Sequence, residues 1–256
     1  TSLMKPIRQI ILPKRINPTD VAIDISSLVS SRMGSAIHAA IEKAWTSPVS
    51  ALKALGLPEK VYNNILINPS PELLELNSKA IPVYMEQRSY KQVGKYRVSG
   101  KFDFVAEGKV QDFKSTSVYS YLNQTSKDKY ILQGSIYRWL NQDIITSDVM
   151  MIHYIFTDWS AADARQKPDY PKSRVFTQKF NLLSTAETEQ YVKSKIAQID
   201  QYLKADEADI PHCSDEDLWR KPDVYKYYKD PAKTEGRSTK NYDSKQDAYI
   251  RLVEDG

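Results

Sequence analysis

The sequence is poor in the residues that several large protein classes require. Its 256 residues include one cysteine, Cys213, which excludes an internal disulfide framework, a four-cysteine zinc site and a four-cysteine iron–sulfur cluster. It has only 8 glycines, and it contains neither the phosphate-binding loop of P-loop NTPases nor the G-x-G-x-x-G string of dinucleotide-binding proteins. No run approaches about eighteen consecutive apolar residues, so no segment is predicted to span a membrane.

The overall composition is that of a globular protein. Hydrophobic residues make up 41% and charged residues 27% of the chain, and its length fits one or two domains. The 36 Lys and Arg residues exceed the 32 Asp and Glu residues, giving a net charge of +4. This small excess permits a nucleic-acid partner but does not require one. No apolar segment follows the basic residues at the N-terminus, so we expect no secretory signal.

Hydrophobic spacing divides the chain into helical and strand segments. Helices are predicted where apolar residues recur at helical spacing, over residues 30–45, 48–56, 58–67, 128–142 and 184–204. Residues 82–116 alternate and are rich in Val, Tyr and Phe, which predicts a three-stranded antiparallel meander. Residues 148–158 and 173–182 predict two more strands. This order predicts an α/β domain with a central mixed β-sheet flanked by helices.

The two ends of the chain differ from this central part. Residues 1–20 carry four basic residues around three prolines, which predicts an extended basic arm. We predict a main domain over residues 1–205 and a Lys- and Tyr-rich appendage over residues 206–256. In that appendage, nine Lys and Arg residues are interleaved with tyrosines. They could follow a single DNA strand, or they could be solvated lysines on a small hairpin and helix, which is the favoured interpretation.

The most informative segment is a predicted hairpin at residues 100–114. If Glu107-Gly108 forms a two-residue turn, Asp103 lies directly opposite Asp112, and Lys101 lies opposite Lys114. Side chains two residues apart share a face of a strand, so these four charged side chains project together. The phenylalanines of the segment are predicted on the opposite face: Phe102, Phe104 and Phe113.

Two acids that face each other across a strand pair require a shared proton or a cation. Oxygen ligands suit Mg²⁺ or Mn²⁺, and Lys114 could reach a phosphate or a water held at such an ion. Phosphodiester hydrolysis needs these parts. The alternative is an exposed strand face on which lysines neutralise the two acids, and the hairpin alone leaves both interpretations open.

Glu86 adds a further acid on the preceding strand. With a turn at Val93-Gly94, Glu86 lies opposite Lys101 and diagonal to Asp103. It could be a third acid near the metal ion, or it could form a cross-strand salt bridge with Lys101. The salt bridge is the favoured interpretation, and Glu86 is kept among the catalytic candidates.

Four motifs in chain order resemble those of the RecB-type branch of the PD-(D/E)XK nuclease superfamily. The similarity covers about residues 30–160. The motifs are a G-x-x-x-H sequence ending at His38, a strand pair leading from Glu86 to Asp103, the D-x-K sequence from Asp112 to Lys114, and a Q-x-x-x-Y sequence from Gln133 to Tyr137.

This resemblance implies a restriction-endonuclease-like core and a metal-dependent DNA nuclease. The implied activity is that of an exonuclease, which hydrolyses phosphodiester bonds with a metal-activated water. The implied ligands of one or two Mg²⁺ or Mn²⁺ ions are His38, Asp103, Asp112 and the carbonyl of Phe113. Lys114 would be the catalytic lysine, and Gln133 and Tyr137 would orient the substrate or the catalytic groups.

The chain departs from those family members that carry an iron–sulfur cluster on four cysteines. A stand-alone, cluster-free nuclease of the kind that phages encode is the nearest fit. The implied partners are DNA, at linear ends or as single strands, and a recombination or replication protein. The expected location is the cytoplasm, which is that of the bacterial host if a phage encodes the protein. The alternatives are an endonuclease or flap nuclease on the same core, and a catalytically silent DNA-binding or assembly module.

Overall fold

The computed structural model of the protein describes residues 2–16, 24–46, 48–54, 56–218 and 220–255. The α-helices of these residues are α1 Ile7–Ile11, α2 Val29–Trp45, α3 Pro48–Ala54, α4 Glu59–Tyr62, α5 Pro71–Leu76, α6 Val118–Leu122, α7 Lys127–Leu140, α8 Ala161–Gln166, α9 Thr185–Tyr202 and α10 Lys245–Glu254. The strands are β1 Ile65–Ile67, β2 Ile81–Met85, β3 Arg88–Val93, β4 Tyr96–Lys101, β5 Phe104–Ala106, β6 Lys109–Thr116, β7 Val149–Phe156, β8 Val175–Asn181, β9 Tyr225–Tyr227 and β10 Lys240–Tyr242.

A six-stranded mixed sheet forms the centre of the fold, in the order β1-β2-β5-β6-β7-β8. The β1–β2 and β6–β7 pairs are parallel, and the other neighbours are antiparallel. One face carries a core that includes Val110, Ile152 and Tyr137 of α7. The other face carries a smaller core in which Phe104 packs against Trp45 of α2. The prediction of an α/β fold with a central mixed sheet flanked by helices is therefore confirmed.

In the predicted meander, β2 and β3 form one arm and β4 and β5 form the other. The two arms pair in the same register on both sides of a break in the pairing. Met85 pairs with Phe104 before the break, and Arg88 pairs with Lys101 after it. The arms are interrupted at residues 86–87 and 102–103, where Glu86 adopts a left-handed backbone conformation with φ of 55°. Beyond the break, β3 and β4 leave the main sheet as a separate hairpin, and β4 packs Val98 with Trp139 of α7.

Two predictions about this segment are wrong, one about the outer turn and one about the face of a side chain. The turn of the outer hairpin is Gly94-Lys95 rather than Val93-Gly94, since Val93 pairs with Tyr96, and this moves the register by two residues. Phe102 packs in the core beside α7, whereas Phe104 lies in the core on the other face. The predicted common face is therefore wrong for Phe102, because the alternation is interrupted at residues 102–103, whereas Phe104 and Phe113 share one face as predicted.

The hairpin between β5 and β6 has the predicted register. Val105 pairs with Val110 and Ala106 pairs with Lys109, so Glu107-Gly108 is the two-residue turn. Both turn residues have positive φ, of 52° and 69°, as a turn of this kind requires. A side chain at Gly108 would also be crowded, because an added Cβ would lie 2.2 Å from Oγ1 of Thr146.

The N-terminal segment is helical and packed, so the predicted extended basic arm is wrong for residues 2–16. Ile7, Ile10 and Ile11 are buried against Ile199 of α9. The arginines of this segment bind protein rather than facing solvent freely. Arg8 donates to the Glu207 carboxylate and to two backbone carbonyls, and Arg15 donates to three carbonyls at the end of α9. Residues 17–20 of the predicted arm lie outside the described residues.

Two further segments refine the prediction. The helix predicted over residues 58–67 ends at Tyr62, and Ile65–Ile67 instead forms β1 parallel to β2, as suits a short apolar run of branched residues. In the C-terminal part, β9 and β10 form a small hairpin that contacts α10. Within the described residues, we find no helix with the length and apolar character needed to cross a membrane.

Candidate metal centre

The centre of the candidate site is Asp112, in the middle of β6. Its side chain is 2% exposed, although it carries a carboxylate. Strand alternation places Asp112 and Lys114 on the face of the sheet that Val110 also occupies, which is the face covered by α7. A carboxylate without a counter-charge would be very costly at such a position, so its immediate contacts decide what the site can do.

Lys114 supplies the nearest positive charge. Its Nζ lies 2.5 Å from Oδ2 of Asp112, and it also donates to Oε1 of Gln133 at 3.4 Å. Gln133 Nε2 donates to the hydroxyl of Tyr137 at 2.9 Å, because the two residues are one turn apart on α7. Burial raises the pKa of Tyr137, so its hydroxyl stays protonated. Lys114 therefore lies between Asp112 and the hydrogen-bonded pair Gln133 and Tyr137 of α7.

Asp103 faces Asp112 from the break between β4 and β5. The two carboxyls are close enough for their charge and hydrogen bonding to act on each other. Burial is the largest cause that raises the pKa of Asp103, to about 8, and the charge of Asp112 adds to it. Two carboxylates in a buried site cannot both be charged cheaply. In the absence of a bound cation, we therefore expect Asp103 to hold a proton at neutral pH.

His38 reaches this pair from α2, on the opposite side of β6. Its Nε2 lies 2.7 Å from the carbonyl oxygen of Phe113, and its Nδ1 lies 3.3 Å from Oδ2 of Asp103. A carbonyl oxygen only accepts hydrogen bonds, so Nε2–H is the donor of this contact, and Nδ1 is the ring nitrogen that faces Asp103. Gly34 allows α2 to come this close, because a Cβ there would already lie 3.4 Å from Oγ of Ser115.

Glu86 completes the cluster, and the shifted register explains its position. Its backbone N–H donates to the carbonyl of Asp103 at 3.0 Å, so the two acids lie directly opposite each other. The predicted salt bridge with Lys101 is present, although Lys101 is no longer the residue directly across. One ligand atom each from Glu86, Asp103 and His38 lie within 4.8 Å of one another. The favoured salt bridge is thus present, and a role of Glu86 at a metal ion stays a prediction.

The cluster fits a divalent cation on two observations from these residues. Oδ2 of Asp103 and Oδ2 of Asp112 are buried and accept no well-directed hydrogen bond. The first lies 3.3 Å from Nδ1 of His38, and the second lies 2.5 Å from Nζ of Lys114. In addition, the donor set consists of carboxylate oxygens and one imidazole nitrogen, which suit Mg²⁺ and Mn²⁺. His38, Glu86 and Asp103 could therefore hold a metal ion, with Asp112 beside them.

The chain places every predicted site residue in this one region. From α2 to α7, successive contacts join His38, Asp103, Asp112, Lys114, Gln133 and Tyr137. The Phe113 carbonyl, predicted as a metal ligand, is engaged by His38. Its ring stacks on His153, with centroids 5.1 Å apart, on the other face of the sheet. His153 itself hydrogen bonds to Gln111 and Thr177, outside the cluster.

Comparison with known proteins gives only distant likenesses. No protein-family model matches the chain, and no curated protein matches it. The solved structure of SSO0001 is similar with a TM-score of 0.43 and 16% identity, over 76% of this chain and 72% of that one. A phage related exonuclease from Haemophilus somnus 129PT is similar with a TM-score of 0.31 and 14% identity, over 46% of this chain and 57% of that one. Neither likeness is close enough to support an argument about function.

Proposed function

We propose that the protein is a divalent-metal-dependent nuclease that hydrolyses phosphodiester bonds in DNA. The observation that carries this proposal is the contact of a buried acid, Asp112, with a partly buried acid, Asp103, and with a lysine that lies 2.5 Å from Asp112. Phosphodiester hydrolysis needs a site for a cation, a positive charge near the phosphate and a hydrogen-bonding group beside it. These three parts lie next to one another in this cluster.

Asp103, Asp112, His38 and Glu86 would hold one or two ions of Mg²⁺ or Mn²⁺. When bound, such an ion lowers the pKa of a coordinated water and polarises the phosphate. The two acids also explain why an ion would be retained, since it would replace the proton on Asp103 and offset the repulsion between the two carboxylates.

Lys114 would stabilise the negative charge that develops on the phosphate. The side chain of Lys114 is 24% exposed, and Asp112 and Gln133 already orient its ammonium group. Little reorganisation is therefore needed when the substrate binds. Gln133 and Tyr137 would act as positioning groups. Gln133 orients Lys114, and Tyr137, whose pKa is raised by burial, offers a neutral hydroxyl to a phosphate oxygen.

Within this proposal, we favour an exonuclease that acts on linear ends or single strands of DNA. An endonuclease or flap nuclease on the same core is the alternative, and so is a silent DNA-binding or assembly module. Activity is supported over the silent module because each acidic and lysine position of the motif is filled and in contact. A recombination or replication protein would be a natural partner. We further propose residues 1–205 as the nuclease domain and residues 206–256 as an appendage.

One experiment separates these possibilities. Linear and covalently closed circular DNA are incubated with the protein in Mn²⁺ or in chelator. The same incubations are run with Asp112→Asn and with Asp169→Asn, which removes an exposed carboxylate of a loop. Metal-dependent loss of linear DNA alone, absent in Asp112→Asn and retained in Asp169→Asn, supports the exonuclease. Nicked circles support the endonuclease. No cleavage of either DNA under any condition refutes the proposed function.

A further inference from the structure

A cavity of about 520 Å³ lies beside the metal centre. Residues 2–14 of the N-terminal segment, β4, α7 and α9 line it. Six consecutive residues of β4 take part, but only Arg88 of β3 does, so the cavity follows the edge of β4 that faces away from β3. No other strand pairs with that edge among the described residues. The backbone groups of this edge are therefore available to a ligand.

The charged lining of this cavity is entirely basic. Lys14, Arg88, Arg97 and Lys101 line it, and no acidic side chain does so in the described part of the chain. Lys101 is paired with Glu86. Arg97 lies over the ring of Tyr90 at 4.6 Å, and Arg88 donates to the Ser99 hydroxyl. These last two contacts orient the guanidinium groups without neutralising them, so the cavity is complementary to an anion.

The remaining lining is apolar and aromatic. Leu3 and Met4 form one wall, and Val98, Ile136 and Ile196 belong to the same cluster below them. Two tyrosines, Tyr96 and Tyr137, also line the cavity. An apolar floor with aromatic rings under a cationic rim suits a ligand that is flat and apolar at one end and anionic at the other. Cavities of roughly 300–1,000 Å³ hold ligands of this size class.

The cavity shares a wall with the metal centre. Gln133 and Tyr137, which hold Lys114, also line the cavity, and Lys101 connects it to Glu86. A group bound in the cavity would therefore lie next to a phosphate bound at the metal centre. The cavity and the metal centre could therefore bind neighbouring parts of one nucleic-acid strand.

We infer that the cavity holds one unpaired nucleotide of a single-stranded nucleic acid, next to the bond that is cut. This inference rests on the proposed function and names its substrate more closely. The base would lie on the apolar floor, where stacking on tyrosine is favourable for any base, and the flanking phosphates would lie at Arg88 and Arg97. We limit the inference to one unpaired nucleotide, because a cavity of about 520 Å³ is of the size that holds a single small ligand.

The test measures binding separately from cleavage. A fluorescently labelled five-nucleotide single strand is titrated with protein in chelator, by fluorescence anisotropy, at several salt concentrations. We expect Arg97→Ala and Arg88→Ala each to weaken binding about tenfold, the loss of one charge-assisted contact. Each should also reduce the slope of log K against log salt by about 0.7, the value for one phosphate contact on a single strand. Arg165→Ala, an exposed arginine of α8, is the matched control and should change neither quantity.

A second variant tests the cavity itself. Ile196→Trp would fill it from α9 and should abolish binding of the strand, while circular dichroism and thermal unfolding report whether the variant folds. A blunt duplex that is long enough to stay paired should not compete with the labelled strand. The inference is overturned if both arginine variants bind as the wild type does, if the blunt duplex competes equally, or if the wild type does not bind at all.

The outcome also separates this inference from the proposed function. Cleavage of DNA by the wild type together with unchanged binding by the arginine variants would refute the cavity as a strand site and leave the nuclease standing. Strand binding that is lost in Arg97→Ala, in a protein that cleaves no DNA, would support the cavity and refute the nuclease. Asp112→Asn, which should not cleave, is expected to bind the strand as the wild type does.

Discussion

The buried acid pair makes a quantitative prediction about stability in the absence of metal. The pKa of Asp103 rises from 3.8 to about 8 in the folded protein, mainly because the carboxyl is buried and secondly because Asp112 is charged. Each pKa unit corresponds to about 1.4 kcal/mol, so the whole difference is on the order of 5 kcal/mol. Part of this belongs to the pair rather than to Asp103 alone.

The sign follows from proton binding. Between pH 4 and 8 the folded protein keeps the proton on Asp103, whereas the unfolded chain has released it. The free energy of unfolding must therefore fall as the pH rises through this window, by up to about 1.4 kcal/mol per pH unit. Below about pH 4 both states hold the proton, and this contribution to the pH dependence ends.

The perturbation that isolates this effect is Asp103→Asn. Asparagine keeps the shape but never ionises, so the variant should lack this slope and should become more stable than the wild type toward pH 8. Urea unfolding is measured in chelator at half-unit steps from pH 5 to 8.5, with Asp169→Asn as the matched control. The reasoning is wrong if the stability curves of the wild type and Asp103→Asn run parallel across the range. Added Mn²⁺ should remove most of the wild-type loss at pH 8.

Three further substitutions test other parts of the site. Lys114→Met should lower kcat by about a hundredfold or more and leave Mn²⁺ binding, measured calorimetrically, within about threefold; a large loss of Mn²⁺ binding would contradict a role at the phosphate. Glu86→Gln should weaken Mn²⁺ binding by at least about tenfold, and unchanged affinity would remove Glu86 from the ligands. Gly100→Ala places a Cβ 2.8 Å from Leu140 and 3.1 Å from the Tyr137 ring; it should cost about 1–3 kcal/mol in urea unfolding, and no cost would show that α7 yields freely.

The candidate site was predictable where chemistry and strand alternation agreed. The turn at Glu107-Gly108 has the expected two-residue length, and it alone fixes which residues of β5 and β6 pair. Gln133 and Tyr137 are four apart on a helix with a clear apolar stripe, so their common face follows from helical geometry. These local rules depend on neighbouring residues only, which is why the sequence contains them.

The rest depends on contacts between distant segments. The interruption opposite Glu86 has no signal of its own in the sequence, because it depends on where β3 and β4 leave the main sheet. The side-chain alternation shifts there, so that Phe102 and Phe104 lie on opposite faces. The N-terminal helix is five residues long and flanked by prolines, too short to be stable by itself. It forms because Ile10 and Ile11 are buried against α9, nearly two hundred residues later in the chain.

That packing has a consequence for how the molecule is made. α1 leaves the ribosome before α9 does, and among the described residues its buried isoleucines pack against α9 and the segment that follows it. Because a long stretch of chain separates α1 from α9, their packing should form more slowly than the pairing of strands that are neighbours in sequence. A nascent chain interrupted before residue 185 would expose Ile7, Ile10 and Ile11 and leave one wall of the cavity unbuilt. Such an incomplete product would be prone to aggregate, and the cavity could close only after α9 has been synthesised.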